Sequence, residues 1–154
     1  MKKLFYFLFI SFTLNAQVIF SDSFEGTWSP STNGTAPSGW AQIATGTNTS
    51  IYWEKAVWSG SWSPLGNGTK PTGAYDGSAV AHFNDYYCNS GNTRRLITPQ
   101  IDLSSTSSKR LSFYHYYYSG SAIVKVYASS DGGSTFNQIG SNVTTSTSWT
   151  KKNV

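Results

Sequence analysis

The stretch AIVKVYASSDGGSTFNQIG, residues 122–140, reads as a β-hairpin and sets the fold class. Side chains on a strand point alternately to opposite faces, so Ala122, Val124, Val126 and Ala128 form one apolar row. Ile123, Lys125 and Tyr127 face the other way. The run ends at Ser130-Asp131-Gly132-Gly133, residues that preset a turn or accept positive φ, and a second short run follows over 135–140. Two strands joined by so short a connection are antiparallel.

The same punctuation recurs outward along the chain. Alternating or aromatic-rich runs lie at 18–25, 39–44, 51–58, 78–84, 94–99 and 110–118, then 122–129, 135–140 and a run opening at Trp149. The separators, such as STNGTAPSG, SPLGNGTKPTG and YSGS, are built from turn formers. No stretch carries a helical period, none is an interdomain linker and no internal repeat is present. Short strands between turns predict an all-β antiparallel sandwich.

The N-terminus reads as a separate element. Lys2 and Lys3 precede LFYFLFISFTL, an apolar run too short to span a bilayer, and Ala16 offers a small residue before Gln17. Residues 1–16 therefore read as a cleavable signal peptide and 17–154 as a secreted or cell-surface domain, with no membrane span after cleavage. Without Lys2 and Lys3, nine of the 11 basic residues remain against seven acidic ones, a net of +2, and they are scattered apart from the pairs Arg94-Arg95, Lys109-Arg110 and Lys151-Lys152. That balance does not point to nucleic acid. Only 12% of residues are charged while 16% are aromatic, a composition that suits an extracellular β protein. The single Cys88 makes no internal bridge and reads as a buried thiol.

Catalytic signatures are absent: there is no G-x-S-x-G elbow, no H-E-x-x-H helix and no Cys-x-x-Cys pair. GNGTK lacks phosphate-loop spacing and reads as a turn. His82 and His115 fall in apolar and aromatic runs and read as structural. Asp131 belongs to its turn, and Asp102, in PQIDLSS, is suited to a local bond with backbone N–H. The chain reads as non-catalytic. The alternative, an accessory or catalytic jelly-roll part of a secreted glycosidase or peptidase, would need two carboxylates across a cleft, for example Glu54 and Asp76. A passive spacer is a third possibility.

Asp22 stands on an apolar row if VIFSDSFEG, 18–26, is a strand, beside Val18, Phe20 and Phe24. A carboxylate taken from water needs a cation or several donors. Either the Arg94-Arg95 pair supplies a guanidinium fork or calcium supplies the charge. Gly26 permits a turn that would bring Glu25 round to such an ion, and Asn84 and Asp85 offer further oxygens where their run leaves the sheet. For recognition, Trp58 and Trp62 flank SGS in a turn-rich stretch, and Tyr114, Tyr116 and Tyr118 share one face of 110–118. Flat rings among Asn, Ser and Thr suit sugars.

FSDSFEG, PSGW (37–40), the strand bearing Trp53, GSAVAHFN (77–84), RRLITPQIDLS (94–104), LSFYHYYY (111–118) and VKVYASSDGGSTFNQIG (124–140) together resemble cleaved adhesin domains. These are MAM-like jelly-roll modules of secreted Bacteroidota proteins, and the resemblance runs from about Phe20 to Val154. It implies an antiparallel two-sheet jelly roll that acts as an adhesion module for glycans or surface proteins, often beside further domains of a longer polypeptide. It also implies structural calcium near the N-terminal strand, with the glutamate of Phe24-Glu25 as a ligand. The family pattern continues past the strand at Trp149 to a closing acidic pair, so the expectation is a jelly roll lacking its last strands. The expected metal site is Glu25 with Asp22, Asn84 or Asp85. The expected ligand-binding residues are Trp58, Trp62, Tyr114 and Tyr116.

Overall fold

The computed structural model describes residues 17–30, 34–47, 52–57, 71–85, 88, 90–117 and 122–154. The expected signal peptide and the aromatic residues Trp58, Trp62 and Tyr118 lie outside these described residues. Among the described residues there is no helix, and so none long and apolar enough to cross a membrane. The fold is all-β and antiparallel throughout.

Ten strands form among the described residues: β1 (Trp28–Pro30), β2 (Thr35–Pro37), β3 (Ala41–Thr45), β4 (Glu54–Val57), β5 (Ala79–His82), β6 (Thr93–Ile97), β7 (Ser112–Tyr117), β8 (Val126–Ala128), β9 (Asn137–Ile139) and β10 (Ser146–Asn153). They pair as five two-stranded ladders, β1–β2, β3–β6, β4–β5, β7–β10 and β8–β9. Three of these join strands that are neighbours in the numbering, whereas β3–β6 and β7–β10 skip over intervening strands. Leu111 and Val154 exchange both backbone bonds at 2.9 Å and lengthen the β7–β10 ladder. The Val143 N–H donates to the Val124 carbonyl at 2.8 Å and ties the chain beyond β9 to the 122–128 segment.

A hairpin forms within 122–140, its ladder confined to Val126–Ala128 and Asn137–Ile139, shorter than the expected runs 122–129 and 135–140. Val126 faces Ile139 and Ala128 faces Asn137 across it. Ala122, Val124 and Val126 are half-buried while Ile123, Lys125 and Tyr127 are exposed, the alternation expected of a one-sided strand. Ala128, next to the turn, is exposed too. Asp131 holds the turn. Its Oδ1 accepts from the Thr135 N–H at 2.9 Å and the Ser129 hydroxyl at 2.7 Å, and its Oδ2 accepts from the Thr135 hydroxyl at 2.5 Å. These donors favour the charged carboxylate, so its pKa falls from 3.8 to about 2.

Fully buried side chains among the described residues are small. Ala36, Ala56 and Ala79 lie where β2, β4 and β5 approach, and Val143 lies beside the 122–128 segment. Gln42 is the buried polar residue, 3% exposed. Its Oε1 accepts from the Trp53 N–H at 2.9 Å while its Nε2 donates to the Trp53 carbonyl at 2.6 Å and to the Thr35 carbonyl. One side-chain amide on β3 thus replaces a stretch of ladder between β2 and the segment entering β4. Cys88, expected to be buried, is a half-buried free thiol.

The expected strand over 18–25 does not form. Phe24 takes φ 64°, a left-handed conformation that a strand does not admit, and its N–H is held by Asp22 Oδ1 at 2.7 Å. Its apolar residues serve ring packing instead of a sheet face. Phe24 lies 5.5 Å from Trp40 and 6.2 Å from Trp28, centroid to centroid, and Phe20 lies 5.9 Å from Trp40.

Candidate binding surface

Strand β7 carries SFYHYY, whose alternation sends Tyr114 and Tyr116 to one face and Phe113, His115 and Tyr117 to the other. Its partner β10 is irregular. Ser146 stands opposite Tyr117 and Thr150 opposite His115, so four positions on β10 span two on β7. Hydroxyls pin this bulge. Ser146 and Thr150 hydroxyls meet at 2.7 Å, and Thr150 Oγ1 donates to the Ser148 carbonyl at 3.1 Å. Bulges re-aim side chains, and here the redirected one is Trp149. Its indole N–H donates to the Gly73 carbonyl at 3.0 Å, anchoring the segment that carries Tyr75.

The result is an aromatic surface built from three parts of the chain. Tyr75 and Tyr114 stack with centroids 3.5 Å apart and planes 13° from parallel. Trp149 presents its edge geometry to Tyr75 at 6.4 Å and to Tyr116 at 5.9 Å. Lys151, opposite Tyr114 on β10, holds its ammonium 5.9 Å from that ring centre. Tyr75 is 51% exposed and Tyr114 38%, unusual for large rings already in mutual contact. Hydrogen bonding to Tyr114 raises the Tyr75 phenol above its ordinary 10.0, with partial burial and the charge of Asp76 acting the same way. Of the expected binding residues, Tyr114 and Tyr116 are part of this surface, while Trp58 and Trp62 lie outside the described residues. Tyr75, Trp149 and Lys151 were not foreseen. Tyr75 did carry the signal applied to Trp58 and Trp62, an aromatic ring set among turn residues in GAYDG.

The expected metal ligands find other partners. Asp22 accepts from the Phe24 N–H and, at 2.8 Å, from the Trp40 indole N–H, so an indole and a backbone amide stand opposite it and not an arginine. Arg94 Nη1 donates to the carbonyls of Thr45 at 3.0 Å and Thr93 at 2.7 Å. Arg95 lies over the rings of Tyr127 at 5.7 Å and Phe136 at 5.4 Å, tying β6 to the β8–β9 hairpin. Asp85 Oδ2 accepts from the Ala122 N–H at 3.2 Å, and Asn84 precedes it just after β5.

Glu25 occupies a cradle of donors. Its Oε1 accepts from the N–H groups of Ser78 at 2.5 Å and Ala79 at 2.6 Å, and its Oε2 from the Ser78 hydroxyl at 2.9 Å. Gly77, at φ 66°, makes the approach possible, since a Cβ there would collide with Glu25 Oε1. Lys55 donates to the carbonyls of Glu25 at 2.6 Å and Gly26 at 2.9 Å. The backbone donors hold the carboxyl below its ordinary 4.5. Among the described residues no three His, Cys, Asp or Glu side chains come together as a metal-holding group. Asp22, Glu25 and Asp85 each turn to a different set of donors.

The carboxylates weighed for hydrolysis also have local roles. Glu54 on β4 pairs with His82 directly across the β4–β5 ladder at 3.0 Å, and Asp76 sits beside Tyr75. His115 is half-buried with Nδ1 unpartnered, and burial, aided by Lys152, lowers its pKa. Comparison with protein-family models, with curated proteins and with solved structures yields no match.

Proposed function

We propose that this chain is a non-catalytic binding module that recognises glycans or surface proteins through the face formed by Tyr75, Tyr114, Tyr116, Trp149 and Lys151. The observation that supports the reading is the exposed stack of Tyr75 on Tyr114. Rings left in water at some hydrophobic cost are available to a partner, and flat rings with a nearby ammonium suit sugar faces and their polar rims. In the same reading the chain is a secreted or cell-surface jelly roll of the cleaved adhesin kind, its first 16 residues a signal peptide, with Trp58 and Trp62 contributing to the same recognition.

The experiment is a glycan array run in parallel with retention on immobilised cell-surface protein. Tyr75→Ala with Tyr114→Ala abolishes retention while the far-ultraviolet circular dichroism is unchanged. A double variant that folds and still binds as the original chain does removes this face from the proposal.

A further inference from the structure

The stacking of Tyr75 on Tyr114 supports a covalent outcome as well as a binding one. We propose that these two residues form an oxidative cross-linking site, at which hydrogen peroxide acting through a peroxidase joins their rings as dityrosine within one chain. Three observations bear on it. The rings are already in face contact, 3.5 Å apart and 13° from parallel, so the carbons ortho to the hydroxyls need little travel to meet. Both rings are open to an oxidant, at 51% and 38% exposure. Tyr75 lies in a segment without regular secondary structure between Gly73 and Gly77, which leaves it room to tilt as the bond forms, whereas Tyr114 is held in β7.

The chemistry closes without further reactants. Each phenol loses one electron and one proton, giving two phenoxyl radicals. Their pairing forms a carbon–carbon bond between the ortho positions, and the two ring hydrogens at that bond move to the oxygens, restoring both phenols. The chain loses two hydrogens in total, and hydrogen peroxide is reduced to two molecules of water. Trp149, edge-on to Tyr75 at 6.4 Å, stands within the same aromatic group, so oxidation that begins on its indole has a short path to the phenols.

The consequence is a tie between the segment leading into β5 and strand β7, which belong to separate ladders. A link between residues so far apart in sequence restricts the unfolded chain as a disulfide would. With Cys88 as its only cysteine, the chain has no internal disulfide with which to do this. The inference rests on the ring stack and stands whether or not the same face binds a glycan.

The test exposes the chain to hydrogen peroxide and a peroxidase, then reads dityrosine fluorescence, intact mass and peptide maps. The expected product is a monomer lighter by two hydrogens, with the peptides containing Tyr75 and Tyr114 joined and the melting temperature raised. Tyr114→Phe and Tyr75→Phe each keep the ring and lose this product. The proposal is overturned if the oxidised monomer keeps its mass, if the joined peptides contain other tyrosines, if either phenylalanine variant gives the same monomeric product, or if coupling occurs only between chains.

Discussion

The Trp40 indole N–H donates to Asp22 Oδ2 at 2.8 Å, joining an aromatic residue just before β3 to a carboxylate that belongs to no strand. The same carboxylate holds the Phe24 N–H, and Phe24 in turn packs on Trp40. Trp40→Phe removes the indole donor and keeps an aromatic ring, though a smaller one, against Phe20 and Phe24. Trp40→Phe is expected to lower stability by about 1 kcal/mol, the usual net worth of one hydrogen bond. Asp22→Asn, which retains an acceptor, should cost less than Asp22→Ala. Urea unfolding of the three variants checks the order, and equal midpoints for Asp22→Asn and Asp22→Ala would show that the side-chain acceptor is immaterial.

Glu25 makes stability depend on acid. Its folded pKa is depressed below 4.5 chiefly by the Ala79 and Ser78 N–H groups, so its contribution is present above the unfolded value and is lost as pH falls through the folded one. Glu25→Gln is expected to lower the melting temperature at neutral pH and to flatten its decline on acidification. Because donors already surround the carboxylate, melting temperatures in excess EDTA and in millimolar calcium should coincide. A rise in calcium that Glu25→Gln removes would instead establish the cation site implied by the family resemblance.

Asp131 should titrate well below an ordinary aspartate. Carboxyl-carbon NMR is expected to place its midpoint near the value of about 2 that the Thr135 and Ser129 donors impose. The depressed folded pKa means that its stabilising effect holds above about 3.8 and disappears as pH falls towards about 2. Asp131→Ala should loosen the β8–β9 hairpin at neutral pH, seen as faster amide exchange at Thr135 and Gly133, and a midpoint at the ordinary value would contradict this account of the turn.

Gln42 is the most consequential single side chain of the buried set. Gln42→Leu preserves bulk but leaves the N–H and carbonyl of Trp53 and the carbonyl of Thr35 without this partner in a part-buried region. The expected cost is about 1–2 kcal/mol, since the backbone groups left unpaired are only partly shielded from water. Chemical denaturation measures it, and a loss within error of zero would mean that water or a shifted backbone takes over these bonds.

Sequence alone determined what depends on near neighbours. Alternation over 122–127, the positive-φ turn at Gly132-Gly133 and the Asp131 and Asp102 side chains bonding backbone two to four residues away are all local, and each formed as read. The all-β class follows from the same evidence repeated along the chain. What only the tertiary structure decided is which distant groups meet. Asp22 meets a partner that the sequence reading did not offer, the indole of Trp40, 18 residues away, because the apolar 18–25 segment packs its rings and leaves the sheet. Tyr75, Trp149 and Tyr114 converge for a like reason. A hydroxyl-pinned bulge in β10 turns Trp149 onto the Gly73 carbonyl, and no periodicity in the sequence encodes that turn, because a bulge is a departure from period.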